Sequence, residues 1–248
     1  MKKNIVDVIV EEFKQVDLNL LYSWKIPDKK EIELEGNSVF EKNVSLKNKL
    51  HKEMQMLSEK EYLNTAYWIV KKWGRISSFR REKINDQKLL AIKKKIDEKK
   101  DVKDVFDGIH DCLASYSKVA AFYKPNVFAV FDARVAFTLR WLFFKNELNI
   151  KYFRQIPSRN SKIKDCLTKL KGSIPSAKDK EKYYPKNEEY AEYCNLLKKV
   201  ATKMGREIYE VEMFLFSIAA PQKNNSMENI KYITSEIEKW YQEKNSLC

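Results

Sequence analysis

Apolar residues recur along most of the chain at intervals of three and four, the period of a helix with one buried face. Ser58 and Glu61 have the spacing of a capping box, and behind them Tyr62, Leu63, Ala66, Ile69, Val70 and Trp73 share a face. This predicts a helix running to about Lys72. Leu89, Ile92 and Ile96 keep the spacing behind Asp86, and Val105, Ile109, Cys112 and Leu113 keep it behind Asp101, so each aspartate is expected to start a helix. Ser117 to Tyr123 reads as a short helix stopped by Lys124-Pro125. Asp132 then reads as the N-cap of a helix carrying Val135, Ala136, Leu139, Leu142 and Phe143. The period lapses over 147–186, where Pro157, Gly172, Pro175 and Pro185 punctuate an expected inserted loop with a short helix near Ile163 to Leu170. Helices resume over about 187–204, 207–219 and 226–243, the last with Ile230, Ile233, Ile237, Trp240 and Tyr241 on one face. Only Glu31 to Leu34 suggests a strand, and no internal repeat is visible. The expected fold is all-α, with an N-terminal helical or irregular segment over 1–54 and a helical domain over 55–248.

Composition agrees. The 248 residues can bury one good core, and 5 glycines and 6 prolines are too few for a turn-rich β fold. No apolar run reaches the ~18 residues that a membrane span needs. The opening MKKNIVDVIVEEFKQ resembles a secretory n-region, but Asp7, Glu11 and Glu12 interrupt its apolar part, so no signal peptide is expected. Cys112, Cys166, Cys194 and Cys248 have no metal-ligand spacing, and only His51 and His110 are at hand to assist them. Free thiols in a reducing cytosol are expected, with no metal and no cofactor. Nor is there a Gly-rich phosphate loop or a dinucleotide fingerprint.

A formal charge of +13 suits a polyanionic partner, although lysine dominates the basic residues and such an excess also follows from an AT-rich genome. Local distribution is more telling. Residues 145–182 hold 11 Lys/Arg against 4 Asp/Glu, including Lys162 and Lys164. Two readings stand for this stretch: contact with nucleic-acid phosphate, or a solvated loop.

The stretch Ser117–Val135, SKVAAFYKPNVFAVFDARV, carries the candidate chemistry. Two helices joined by a turn would bring Lys118 and Asp132 into one cleft. An amine and a carboxylate there suit cleavage of an N-glycosidic bond, the amine attacking C1′ and the carboxylate stabilising the positive charge that develops. A carboxylate at a helix N-terminus stays ionised, and a lysine at a helix start in an apolar cleft is expected to lose its proton more readily.

These residues resemble the catalytic signature of the helix-hairpin-helix DNA glycosylases, most closely the 8-oxoguanine DNA glycosylase branch. Lys118-Val119-Ala120 is similar to the Lys-Val-Ala at the family's helix start, and Val130-Phe131-Asp132 to its later Val-Asp. Tyr67-Trp68-Ile69-Val70 with Trp73-Gly74, and Tyr190 through Ala220 with Val211-Glu212, resemble flanking helices of small bacterial members. The resemblance implies a DNA glycosylase with AP lyase activity, a base-excision enzyme of the bacterial cytoplasm and nucleoid. It would act as a monomer on double-stranded DNA that carries a damaged or modified base, an 8-oxoguanine-like purine above all. Lys118 would be the Schiff-base nucleophile and Asp132 the catalytic aspartate. The hairpin before the lysine would hold a DNA phosphate, and here its positions are Ala114, Ser115, Tyr116 and Ser117, with both family glycines replaced. That replacement keeps open an alternative, a weakly catalytic or non-catalytic nucleic-acid-binding module of the same fold, acting in anti-phage defence. Arg134 would reach a DNA phosphate or the displaced base, or else form a surface salt bridge. Trp73, and less readily Trp68, would stack on an extruded base, or else pack in the core.

Overall fold

Helices make up the regular structure of the computed structural model, which describes residues 4–27, 32–109, 111–176, 178–221 and 232–246. No strand is present among the described residues, and Ile32 to Leu34 are irregular. His110, Glu31, Ile230 and Cys248 lie outside them. No helix among them is long and apolar enough to cross a membrane.

Local signals start several helices. Ser38 and Glu41 cap α3 (Val39–Met54), and Ser58 and Glu61 cap α4 (Glu59–Trp68); both pairs form complete capping boxes. Ahead of them lie α1 (Ile5–Lys14) and the single turn α2 (Leu18–Leu21). The apolar face of α4 continues into a π-turn over Ile69–Trp73, where the Gly74 N–H donates to the Ile69 carbonyl at 2.7 Å. Such wide turns recur at functional sites.

Elsewhere packing overrides the local signal. Helix α5 (Lys83–Asp97) begins a turn before Asp86, whose carboxylate instead accepts the Tyr67 hydroxyl at 2.9 Å. The helix expected behind Asp101 is split. Helix α6 (Val102–Val105) stops after one turn, the chain reverses through Gly108 at φ +75°, and α7 (Leu113–Tyr123) starts from Cys112 at φ +58°. Helix α7 therefore begins four residues before Ser117. Asp132 caps α8 (Ala133–Lys145), accepting from the N–H groups of Arg134 at 2.9 Å and Val135 at 3.2 Å. The loop-rich stretch contains α9 (Ser161–Lys169), and the chain closes with α10 (Lys186–Met204), α11 (Ile208–Ile218) and α12 (Ile233–Ser246).

Three helices are buried almost all round and form the centre: Ser115–Tyr123 of α7, Val135–Phe143 of α8 and nearly all of α11. The Thr138 hydroxyl donates to the Leu215 carbonyl at 2.9 Å between α8 and α11. Residues of the N-terminal 54 join this core. Phe13 stacks on Phe214 at 4.6 Å, and Leu46, Leu50 and Met54 of α3 are fully buried, with α3 packing on α7.

The run Phe128–Phe131 is irregular and buried, with no sheet to satisfy its backbone. Side chains do so instead. Tyr190 donates to the Ala129 carbonyl and Tyr193 to the Val130 carbonyl, each at 2.8 Å, while the Phe131 N–H donates to Ser117 Oγ at 3.1 Å. This last bond fixes α7 against the start of α8.

Candidate active site

Lys118 and Asp132 meet because Ser117 and Phe131, their immediate neighbours, are bonded to each other. Lys118 Nζ lies 3.8 Å from Asp132 Oδ2 and donates to the Ala114 carbonyl, one turn back, at 3.2 Å. Side chains on a helix lean toward its N-terminus, which gives the amine that direction. The lysine is only 4% exposed, whereas Asp132 keeps partial access.

Lys118 is not at a helix start. It is the sixth residue of α7, because the helix begins at Leu113. The positive dipole end, felt within about one turn, therefore does not account for its acidity. Burial does: desolvation pushes the Lys118 pKa below its ordinary value, against the opposing pull of Asp132 and Glu212.

Two further charged groups share this interior. Glu212 of α11 and Lys47 of α3 form a buried pair, Nζ to Oε2 at 3.5 Å. Burial raises the Glu212 carboxyl to about 7; Lys47 and Lys118 oppose that rise, and Asp132 adds to it. Burial likewise lowers the Lys47 pKa, against Glu212. Two amines and two carboxyls thus occupy one low-dielectric region. Lys47 also faces aromatic rings, 4.8 Å from the Phe122 centroid and 5.6 Å from that of Trp73.

A chamber of about 30 Å³ joins these groups, lined by Tyr22, Trp24, Trp73, Gly74, Lys118, Val130, Asp132, Glu212 and Phe216. It has room for roughly one water and not for a purine. Gly74 is what admits the lysine. A Cβ there would lie 2.7 Å from Lys118 Cδ, 2.9 Å from Cε and 2.7 Å from the Val70 carbonyl oxygen. Tyr22 and Trp24 belong to the irregular segment Tyr22–Pro27. Trp24 donates from Nε1 to the Trp73 carbonyl at 2.9 Å, packs edge-on against Phe216 at 5.3 Å, and is covered by the Arg75 guanidinium at 4.2 Å.

The other candidates fall in different places. Trp73 is a wall of the chamber and a core residue: its Nε1 donates to Asn43 at 2.9 Å and its ring meets Phe122 edge-on at 4.8 Å. Trp68 is half-buried. Arg134 turns inward and closes the end of α11, donating from Nε to the Phe216 carbonyl at 3.1 Å and from Nη2 to the Ala220 carbonyl. It forms these bonds rather than a surface ion pair. Ser115, Tyr116 and Ser117 are buried inside α7 and do not form an exposed hairpin, for the same reason that displaces Lys118 from a helix start. Tyr116 donates to Asn85 at 2.6 Å, and Ser117 holds Phe131. Lys162 and Lys164 are exposed on α9.

Glu212, Lys47, Gly74 and Trp24 complete the site. Glu212 is a lone acid among Val211, Met213, Phe214 and Leu215, and Lys47 lies beside the apolar positions Leu46 and Leu50. Charges within apolar faces were the available signal for both. Nothing in the sequence marks Gly74 or Trp24 as neighbours of Lys118. Comparison with family models, curated proteins and solved structures finds no match to this chain.

Proposed function

We propose that the protein is a DNA glycosylase and AP lyase of helix-hairpin-helix type, acting on a damaged or modified purine in duplex DNA. One observation carries this reading: a buried amine of depressed pKa, 3.8 Å from a carboxylate held by the first N–H groups of a helix. Lys118 Nζ attacks C1′ as the C1′–N bond breaks and the base leaves with the bonding electrons. Asp132 faces the positive charge on the sugar. The attacking nitrogen gives one proton to Glu212, which shares the chamber, and the other to the ring oxygen O4′ as the C1′–O4′ bond breaks and the imine forms. β-Elimination from the imine then breaks the strand. The sugar reaches Lys118 when the Tyr22–Pro27 segment lifts from Trp73 and Phe216. Exposed Lys162 and Lys164 on α9 meet the phosphate backbone.

A second reading is favoured by the size of the closed chamber and by the burial of Ser115, Tyr116 and Ser117. In it the chain binds nucleic acid without excising a base. Borohydride trapping on a panel of lesion-bearing duplexes decides. The first reading expects a covalent adduct on at least one duplex. Salt-sensitive binding with no adduct on any of them supports the second.

A further inference from the structure

A far larger cavity, of about 1030 Å³, opens between α8, α9 and the segment 171–186. Its charged lining residues are Arg140, Arg154, Lys171, Lys180 and Lys186, and no carboxylate lines it among the described residues. The three lysines are exposed, while Arg140 is 9% exposed.

Arg140 is held by hydrogen bonds to neutral groups. Its Nη1 donates to the Phe153 carbonyl at 3.3 Å and to the Tyr183 hydroxyl oxygen at 2.9 Å, and Nη2 to the Pro175 carbonyl at 3.5 Å. The Tyr183 hydroxyl in turn donates to that same carbonyl of Pro175. All these acceptors are neutral, and Nε has no partner. The buried carboxylate in this region, Glu189, is taken by Arg154, with an ion pair at 3.2 Å and a further bond from the Arg154 backbone N–H. A guanidinium does not lose its proton in a protein, so Arg140 keeps its charge while its hydrogen bonds all go to neutral groups, and Glu189 feels that charge only without direct contact. Gln155 leaves a second vacancy in the same lining. Its Nε2 donates to the carbonyls of Ala133 and Ile156, at 3.1 and 2.7 Å, and its buried Oε1 has no partner.

We propose that this cavity is a binding site for a phosphate ester, with Arg140 as the deep contact for the phosphate and Lys171, Lys180 and Lys186 around its mouth. A phosphate supplies several acceptor oxygens and up to two negative charges, which suits a guanidinium whose own bonds all go to neutral acceptors. The volume exceeds what a bare phosphate fills and falls at the upper end of the range for small-ligand pockets, so the organic part of the ester enters as well. The assignment does not require Lys118 or Asp132 to react. Two sources share this chemistry, a free nucleotide-like ester and the terminal phosphate of a nucleic-acid strand.

Calorimetric titration of the full chain with inorganic pyrophosphate tests the site. One saturable event is expected. Arg140→Met should weaken it by about tenfold or more, since it removes charge-assisted bonds while keeping bulk. A combined Lys171→Gln, Lys180→Gln, Lys186→Gln variant, at exposed positions, should weaken it too and flatten its salt dependence. Lys162→Gln with Lys164→Gln should leave it unchanged. Displacement of pyrophosphate by a 5′-phosphorylated duplex, but not by the unphosphorylated one, would identify a strand end as the source. Tighter binding of a nucleoside diphosphate with no displacement by either duplex would identify a free ester. Absence of saturable binding, or equal affinity in the triple-lysine variant and the parent, overturns the proposal, and the lysine arm holds even if Arg140→Met fails to fold.

Discussion

Glu212 gives the site a titration that folding must carry. Its carboxyl is raised from 4.5 to about 7, with burial outweighing the attraction of Lys47 and Lys118. Between those two values the folded chain therefore binds more protons at this position than the unfolded chain does. Stability from this group is fully present below about pH 4.5 and is lost as pH rises through about 7. A rise of this size corresponds to about 3 kcal/mol, at roughly 1.36 kcal/mol per unit. Glu212→Gln keeps the shape and the neutral state and removes the titration. Urea unfolding of parent and variant, followed from pH 4.5 to about pH 8, reads the difference directly as a shift in midpoint at constant slope. The parent should lose about 3 kcal/mol relative to Glu212→Gln across that range. Parallel stability curves for the two proteins would mean that Glu212 does not titrate in this window, and that the crowded charges of the chamber are settled in another way.

Asp132→Asn should still cap α8, so stability should change by less than about 1 kcal/mol while base excision falls by orders of magnitude; near-normal excision would reduce Asp132 to a cap. Gly74→Ala should push the Lys118 stem aside and cost about 1–3 kcal/mol by overpacking, with loss of borohydride crosslinking; full crosslinking by a folded Gly74→Ala protein would show that the lysine does not need this register. Replacing Lys162 and Lys164 by glutamine should lower the slope of log affinity for duplex DNA against log salt by about 1.8, at about 0.9 per phosphate, without altering which base is preferred. An unchanged slope would leave these lysines as solvated surface.

What the sequence disclosed about this protein depended on how local the physics was. Ser58 with Glu61 and Asp132 with the N–H groups behind it act within one turn of chain, and both caps could be read before the fold was known. The apolar faces of α4, α8 and α11 were legible for the same reason. The start of α7 was not. Cys112 takes a left-handed conformation that its residue type does not favour, and no local rule places a helix start there. Lys118 consequently moved from a helix start to the second turn, and the cause of its lowered pKa moved from dipole to burial. Arg134 was legible as a charge near Asp132, but its partners, the carbonyls of Phe216 and Ala220, come from the far end of another helix. The Lys47–Glu212 pair and the approach of Gly74 to Lys118 likewise join elements distant in sequence, so only their oddity as charges on apolar faces, or as a scarce glycine, was visible beforehand.

In the proposed function the Lys118 amine is the nucleophile of a base-excision reaction. Mapping the borohydride-trapped adduct to a residue by peptide mass spectrometry tests it most directly, because Lys47 lies in the same interior and would be the competing amine. A reduced sugar adduct is expected on Lys118, absent from Lys118→Gln and retained in a Lys47→Met protein that folds. An adduct on Lys47 or on a surface lysine, or undiminished trapping by Lys118→Gln, would contradict it.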